Sequence, residues 1–452
     1  MKRVALLSCL ALALASPTLA QNRQPKQYAR LQDDKLVITP RDNGDRIVDF
    51  SHAGYAGANA PIPNVSAKVV VRLIDGDVTA LIQAAIDQVG AMEADANGFR
   101  GAVLLAPGTF RVSGQIKLNR SGVVLRGSGI DQTTILATGY DRRALVRIAG
   151  VDDRTLDTAH AIDADYTPAG STELKVEAGH DLKIGDTVLV TRPCTDEWIV
   201  AMGMSDFGGD RHGVRWNPHS RVLNWDRTIT AVDGNTVTLD VPITGSLDAR
   251  FGGGTIARYS FPGRIERVGI ENLTLFSAHD ETRSADEDHA WVAVAIDNAR
   301  DAWVRRVCAE HFVSYAVAVF GNAARVTVED CLSLAPTGEV GGWRRRAFYV
   351  EGQQVLMQRL FSEHALHDFA VGHVAAGPNA FVECESRGSL GASGAIDSWA
   401  NGALFDRIRL DGGRIELKNL SYLRQGAGWS AAKSVIWNSA AGVIECWSPP
   451  MS

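Results

Sequence analysis

The sequence lacks the features that mark nucleic-acid-binding, membrane-spanning and zinc-binding proteins. Lysine and arginine total 46 against 52 aspartate and glutamate residues, a net charge of −6, so no basic field favours nucleic acid as a partner. After residue 20 no apolar run is long enough to predict a membrane span. No cysteine spacing resembles a zinc site. The acidic balance also disfavours a polyanionic ligand, although Arg344–Arg346 provides a local basic cluster.

The cysteines do not form an obvious disulfide framework. Six are present, and without Cys9 an odd number, five, remains. Cys331 and Cys384 fall at apolar positions of a repeat described below, where a free thiol packs as a small apolar group. We therefore expect buried free thiols.

The first 20 residues have the pattern of a secretory signal peptide. Met1-Lys2-Arg3 precedes an apolar run from Val4 to Ala15, and small residues end the segment at Ala20. The pattern predicts cleavage after Ala20 and a secreted or periplasmic protein.

An apolar-x-x-apolar phrase recurs through the second half of the chain. It begins at Ile270, Val304, Val328, Met357, Phe381 and Phe405, at steps of 34, 24, 29, 24 and 24 residues. The surrounding residues are strand formers, with Asn, Gly and Asp at the joints. At ~3.3 Å per residue, 24 residues make a loop of roughly 80 Å, which suits three short strands and three turns. Each repeat is therefore predicted to be one coil of a parallel β-helix.

Residues 69–139 carry a resemblance to a known family. The runs DGDVTALIQAAIDQVG, GAVLLAPGTFRV, SGVVLRGSG and TTILATG resemble the N-terminal cap and first coils of pectate-lyase-like right-handed parallel β-helix proteins. The resemblance implies an all-β solenoid closed by a capping helix. Leu81, Ile82, Ala85, Ile86 and Val89 would form the apolar face of that helix. That superfamily includes polysaccharide lyases, glycoside hydrolases, epimerases and phage tailspikes, so the fold does not fix the activity.

The chain divides into four segments by pattern. After the signal peptide at 1–20, residues 21–65 read as a polar N-terminal arm that packs its Asp49–Tyr55 segment on the solenoid, and residues 66–452 as the β-helix domain. Residues of about 171–262 interrupt the repeat with antiparallel strand patterns around an Asp-Gly-Asn turn, which predicts an inserted β module. Its aromatic residues, Trp198 among them, form either a sugar-stacking lip or the core of the module.

Extra residues leave the predicted coils in one phase. The segments 278–290, 335–347, 361–368 and 386–402 all follow the same predicted strand, so we expect them to stack on one side. Five coil spacings of ~4.8 Å give a polar wall of roughly 24 Å. A wall of that length with flanking aromatic residues has the dimensions of an oligosaccharide cleft, which predicts a polysaccharide or oligosaccharide as the partner.

The charged segments provide candidates for catalysis. For β-elimination, Arg345, or Arg344 with Arg346, would neutralise a uronate carboxylate, and His367 oriented by Asp368, or His289, would remove the C5 proton. This lyase mechanism is favoured because histidine and arginine accompany the acids. The alternative is a glycoside hydrolase whose two carboxylates, roughly 5–10 Å apart, come from Glu363, Asp368, Asp397 and Glu339. A third hypothesis is a non-catalytic carbohydrate-binding or adhesion solenoid.

Binding residues are predicted in the same segments. Asp286, Glu287 and Asp288 are either Ca²⁺ ligands or a solvated charged loop, and no other cofactor is predicted. Candidate substrate-binding residues are Trp291, Trp343, Arg344, Arg346, Asp397, Trp399 and Trp198.

Overall fold

The computed structural model describes residues 28–451, apart from residues 34, 211, 212 and 284. The predicted signal peptide and the first residues of the arm, 21–27, lie outside the described residues. The chain divides into two compact units, with the boundary between Thr39 and Pro40. The described part of the first unit is an antiparallel hairpin of β1 (Ala29–Gln32) and β2 (Lys35–Ile38).

The second unit begins with a strand, a capping helix and the first coils. The helix α1 buries Ile82, Ala85, Ile86 and Val89 in the main core, whereas Leu81 is 39% exposed. These four residues close the end of the apolar interior, as the sequence pattern predicts. The elements are β3 (Ala67–Val71), α1 (Thr79–Gly90), β4 (Gly101–Leu105), β5 (Gly108–Val112), β6 (Ile116–Leu118), β7 (Val123–Arg126), β8 (Thr133–Ala137) and β9 (Ala144–Ala149).

An antiparallel module interrupts the solenoid between Ala149 and Ile265, and we call residues 150–264 the inserted module. It starts earlier than the boundary predicted near residue 171, because Thr155–Leu156 and His160–Ala161 already pair with its last strand. Its elements are β10 (Thr155–Leu156), β11 (His160–Ala161), β12 (Tyr166–Thr167), β13 (Glu173–Lys175), β14 (Thr187–Arg192), α2 (Asp196–Ala201), β15 (Leu223–Asp233), β16 (Thr236–Leu239), β17 (Leu247–Asp248) and β18 (Thr255–Ser260).

The remaining coils follow without a further module. They comprise β19 (Ile265–Ser277), β20 (Val292–Asp297), β21 (Ala299–Glu310), β22 (Tyr315–Val319), β23 (Ala324–Glu329), β24 (Leu332–Leu334), β25 (Arg346–Val350), β26 (Gln353–Gln358), β27 (Phe361–Glu363), β28 (His367–Val371), β29 (Asn379–Val382), β30 (Glu385–Ala395), β31 (Ala400–Asn401), β32 (Ala403–Asp406), β33 (Arg409–Leu417), the helical turn α3 (Leu423–Gly426), β34 (Ala431–Ala432), β35 (Val435–Trp437) and β36 (Val443–Cys446).

The coils pair in three parallel ladders. Ladder A contains β3, β4, β7, the first half of β19 and of β21, β23, β26, β29, β32 and β35. Ladder B contains β5, β8, the second half of β19 and of β21, β24, β27 and the first parts of β30 and β33. Ladder C contains β6, β9, β20, β22, β25, β28, the ends of β30 and β33, and β36. The predicted all-β parallel β-helix with a capping helix and an inserted antiparallel module is confirmed.

The interior of the coils is a continuous apolar stack. Equivalent residues of successive coils lie in contact, as in the parallel rings of Phe381 and Phe405 at 5.0 Å between centroids. Cys331 and Cys384 are buried members of this core, and the five described cysteines are free thiols. No described helix is long and apolar enough to span a membrane.

Residues 40–66 run along the outside of ladder A. The backbone N–H of Gly54 donates to the Gln354 carbonyl at 2.8 Å, and that of Tyr55 donates to Thr327 Oγ1 at 2.8 Å. Nearer the start of this segment, Asp45 forms a buried ion pair of 2.6 Å with Lys433. The segment is therefore joined to coils of the middle and of the C-terminal part of the solenoid.

Two kinds of turn flank the strands of ladder C. The B–C turns precede these strands and include residues 278–291, 335–345 and 364–366. The C–A turns follow them and include residues 298, 351–352, 372–378 and 396–402. The predicted common phase of the first three inserts is confirmed, because all three leave ladder B. The fourth prediction is wrong: β30 continues from Glu385 to Ala395, and the excursion at 396–402 follows ladder C. The inserted module is itself a C–A excursion, between β9 and β19.

Candidate functional site

Charged side chains of the B–C turns pair with one another. Arg344 forms an ion pair with Glu287, in which Nη2 lies 2.7 Å from Oε2. Glu363 pairs with Arg387. Arg344 and Glu363 therefore have protein partners and do not project into a common cleft, contrary to the prediction.

The acidic loop is not assembled around a metal position. Asp286 accepts the backbone N–H groups of Asp280 and Asp288 at 2.9 and 3.2 Å, and Arg283 lies 2.9 Å from it. Asp288 pairs with Arg283 at 3.1 Å, and Glu287 points to Arg344. Among the described residues, no group of three or more His, Cys, Asp or Glu side chains is placed to hold a metal ion.

The predicted pairing of His367 with Asp368 is wrong. The Nδ1–H of His367 donates to the Ala392 carbonyl at 2.5 Å, and Arg424 donates to Nε2. Asp368 instead accepts a hydrogen bond of 2.5 Å from Ser389 Oγ. Both side chains are fully buried: burial, reinforced by Arg424, lowers the pKa of His367 to about 3, and burial raises that of Asp368 to about 6. Because a neutral His367 with a fixed tautomer holds Arg424, its observed role is positional.

Three further predicted residues lie away from a cleft. His289 is buried and hydrogen-bonded through both ring nitrogens, to Ser277 Oγ at 2.7 Å and the Asp286 carbonyl at 3.1 Å. Arg345 donates to the carbonyls of Gly338 and His364. Trp291 donates to the Glu287 carbonyl at 3.0 Å, which anchors the acidic loop.

The tryptophans of the inserted module form its core. Trp198 is 2% exposed and Trp399, which enters from a C–A turn, is 4% exposed. Their ring centroids lie 4.9 Å apart, and Trp216 stacks on Trp198 at 5.4 Å. The predicted sugar contacts of Trp198 and Trp399 are wrong, and the alternative of a module core is confirmed.

A cleft does occur, at the opposite end of the ladder C strands. Its large lobe has a volume of 560 Å³, and the inserted module and the helical turn α3 contribute to its walls. The predicted residues Trp343, Arg346 and Asp397 line it, together with residues that sequence reasoning did not select as site residues. The full lining is Arg221, Gly342, Trp343, Arg346, Glu351, His373, Asp397, Ser398, Arg424, Gln425 and Ala427.

Two carboxylates meet at one phenol in this lobe. Tyr349 Oη lies 2.6 Å from Glu351 Oε1 and 3.1 Å from Asp397 Oδ2. The two carboxylate oxygens are therefore no farther apart than these two hydrogen bonds laid end to end. Glu351 comes directly after β25 and Asp397 two residues after β30, so the ladder itself sets their separation.

The protonation of this group follows from burial and from hydrogen-bond geometry. Burial raises the pKa of Glu351, and the neighbouring Asp397 adds to the rise. Burial also raises the pKa of Tyr349 well above its ordinary value. A phenol has one proton and cannot donate to both acids at once. All three groups are satisfied when Glu351 is protonated and donates to Tyr349, which in turn donates to Asp397.

Arginines surround the carboxylate pair. Arg346 is 2% exposed and lies 3.6 Å from Asp397, beyond hydrogen-bond distance, and its Nε and Nη1 have no hydrogen-bond partner in the described part of the chain. Arg424 lies on α3, where it and Gln425 both adopt left-handed backbone conformations, with φ of 54° and 62°. Burial, with Arg346 nearby, lowers the pKa of Arg424. Buried guanidinium groups with free N–H bonds are suited to bind an anionic ligand group.

A small lobe of 170 Å³ adjoins the large one and shares Glu351 and His373 with it. Its other walls come from the inserted module, through Arg154, Asn224 and Arg264, and from the turn at Gly321-Asn322. His373 is solvent-accessible in the cleft, and partial desolvation, with Arg221 nearby, lowers its pKa.

The residues that sequence reasoning missed share a simple signal. Glu351 follows the apolar strand AFYV and Asp297 ends the strand VAVAI, and both occupy the same ladder position, two coils apart. Burial also raises the pKa of Asp297. A single acid at the end of an apolar strand was therefore the informative pattern, whereas clusters of charge were not. Arg221 and Arg424 have no such signal, because they arrive from excursions of the chain.

Comparison with known proteins adds neighbours at the level of architecture. No protein-family model and no curated protein matches the chain. It is similar to the gp61 tailspike of Pseudomonas phage phi297 (14% identity, 82% of this chain, 68% of that chain, TM-score 0.31). It is also similar to PfbA, a surface adhesin of Streptococcus pneumoniae (11%, 82%, 71%, TM-score 0.41), and to the polygalacturonase of Erwinia carotovora (10%, 86%, 98%, TM-score 0.35). These similarities assign no activity. The parallel ladders confirm, at the level of fold, the resemblance to pectate-lyase-like β-helix proteins drawn from residues 69–139.

Proposed function

We propose that this chain is a carbohydrate-active enzyme that hydrolyses glycosidic bonds. The observation that carries the proposal is the pair Glu351 and Asp397, joined through Tyr349 on the floor of a cleft. Glycoside hydrolysis requires an acid that protonates the leaving oxygen and a second carboxylate on the other side of the bond. Because the pKa of Glu351 is raised, this residue is suited to be the acid.

Asp397 takes the second role in this proposal. The Arg346 guanidinium at 3.6 Å compensates negative charge on Asp397 without engaging its oxygens in hydrogen bonds. Retaining enzymes hold their carboxyl groups ~5–5.5 Å apart, and inverting enzymes ~6.5–9.5 Å apart. The short link through Tyr349 favours the retaining spacing. We therefore expect Asp397 to attack the anomeric carbon and the product to keep its anomeric configuration.

The arginines favour an acidic glycan as substrate. Arg346, Arg424 and Arg221 border the same lobe as the carboxylate pair. A uronate carboxylate would bind their N–H groups, and the free Nε and Nη1 of Arg346 have the shortest route to such a partner. The exposed Trp343 at the border of the lobe offers a face for a sugar ring. The predicted signal peptide is consistent with a secreted or periplasmic enzyme.

A lyase is the second candidate, and His373 favours it. Its lowered pKa supplies a neutral base in the cleft, and the arginines would neutralise a uronate carboxylate before the C5 proton is removed. This mechanism keeps the elimination chemistry predicted from the sequence but replaces His367 as the base.

One assay separates these readings. The mature protein is incubated with polygalacturonate, alginate, glucuronan and a neutral galactan, while reducing ends and the ultraviolet absorbance of a C4–C5 double bond are both recorded. We expect new reducing ends on an acidic polymer without a rise in absorbance, and retention of configuration by proton NMR of the first product. A rise in absorbance would replace hydrolysis by elimination. A panel without either signal would leave a carbohydrate-binding solenoid.

The Ca²⁺ site at Asp286, Glu287 and Asp288 stays a prediction. The melting temperature and the activity with EDTA or with added CaCl₂ test it, because an ion bound only by the folded protein raises stability. An EDTA effect that Asp288→Asn abolishes would support the site.

A further inference from the structure

We infer that this site acts at chain ends, because the inserted module closes the groove on one side of the carboxylate pair. The inference rests on the proposed hydrolase and concerns which bonds of a polymer can reach Glu351. The groove follows the solenoid axis, since Asn322, Glu351, His373 and Asp397 follow strands of successive coils in ladder C.

Three hydrogen bonds form the closure. Arg154 Nη2 donates to Asn322 Oδ1 at 2.5 Å, and Asn322 Nδ2 donates to Asp152 Oδ2 at 3.1 Å. Arg264 Nη2 donates to the Asn322 carbonyl at 3.3 Å. Arg154, Asp152 and Arg264 belong to the inserted module, whereas Asn322 lies on the C–A turn one coil before Glu351. We call these contacts the Asn322 bridge.

The bridge makes the two sides of the acid unequal. The small lobe between the bridge and Glu351 has 170 Å³, about a third of the 560 Å³ on the other side. The large lobe borders Trp343, which is 54% exposed, so it opens to solvent. A polymer can enter from the large lobe, but its end must stop at the bridge.

The closed end has groups that can bind a chain terminus. The Arg264 side chain is 7% exposed, and its Nε is buried without a hydrogen-bond partner among the described residues. Asn224 is exposed in the same lobe. A free hydroxyl or carboxylate at the end of a glycan would satisfy the Arg264 N–H, and an internal sugar would have to displace the bridge. The cut at Glu351 then releases one short product from the chain end.

Product sizes test the inference. The acidic polymer that gives reducing ends in the panel, and its hexasaccharide, are digested by the wild-type protein, by the double variant R154A/N322A and by R250A. Arg250 is an exposed arginine of the same module that pairs with Asp248 and lies outside the cleft lining. Products are sized early in the reaction, and melting curves of all three proteins report their folding.

The expected result for wild type and R250A is a single short product from the start. In R154A/N322A, internal cuts should rise about tenfold relative to terminal cuts, since a net hydrogen bond no longer opposes an internal stretch of chain. A ladder of sizes from the wild type would overturn the inference and leave the hydrolase intact, and this readout does not require the variant to fold. No cleavage of any polymer would overturn the proposed function and this inference together.

Discussion

The turns at the two ends of the ladder C strands differ in what their charged residues contact. In the B–C turns, Glu287, Glu363 and Asp288 each have an arginine partner from a nearby segment. In the C–A turns, Glu351 and Asp397 meet at the hydroxyl of Tyr349, and two nitrogens of Arg346 remain unbonded. The first region has the higher density of charge along the sequence, but the second has the cleft.

The difference teaches that environment, and not charge density, marks the candidate site. Long B–C loops face solvent, where ion pairs form at little cost and contribute roughly 0–1 kcal/mol. The C–A side is covered by the inserted module and by α3, so its few ionisable groups are desolvated. Desolvation is the largest cause of the raised pKa of Glu351 and of the lowered pKa of Arg424.

The largest expected effect separates two glutamates, one from each region. Glu351→Gln should lower kcat by about 10²–10⁴-fold, because it removes the proposed general acid. Glu363→Gln should leave kcat within about twofold, because that residue only pairs with the partly exposed Arg387. Reducing-end assays on the substrate found in the panel, with melting curves, provide the measurement. Equal losses in both variants would contradict the assignment of the site to the C–A side.

A smaller effect is expected for two neighbouring arginines. Arg346→Ala should lower kcat/KM by about 10- to 100-fold, because a charge-assisted hydrogen bond to substrate contributes roughly 1.5–3 kcal/mol. Arg344→Ala should change it little, because Arg344 is already paired with Glu287. Kinetics on an acidic and a neutral substrate provide the readout. If Arg346→Ala altered only the melting temperature, its role would be structural and the acidic substrate would lose its main support.

The smallest expected effect concerns His367 and Asp368, at the start of β28. The pKa of His367 is about 3 in the fold and ~6.5 when unfolded, so the unfolded chain binds more protons between these values and stability rises with pH there. The pKa of Asp368 is about 6 in the fold and ~3.9 when unfolded, so its contribution falls as pH rises. The two slopes oppose each other between pH ~4 and ~6.

Single variants should expose the two slopes. In His367→Gln the free energy of unfolding should fall as pH rises through this window, and in Asp368→Asn it should rise, each approaching about 1.4 kcal/mol per pH unit. Urea unfolding at several pH values measures both. Slopes of the same sign in the two variants would contradict the assignment of these residues to the folded framework.

Local pattern predicted the fold because a β-helix repeats its local rules. The step from Val304 to Val328 returns an apolar residue to the same ladder, and the face of α1 at Ile82, Ile86 and Val89 closes the stack. The candidate site was predicted only in part, through Trp343, Arg346 and Asp397. Glu351 is one acid in an unremarkable turn, and Arg221 and Arg424 lie more than a hundred residues to either side of it or some seventy beyond it in sequence.

The sequence by itself determined the solenoid, its cap, its buried thiols and the presence of an inserted module. These depend on apolar periodicity and turn residues, which act over a few residues or one coil. Only the tertiary structure decided which end of the ladder C strands is the cleft. That choice depends on where the inserted module and α3 fold back over the coils, since their cover removes water from Glu351 and leaves the B–C turns solvated.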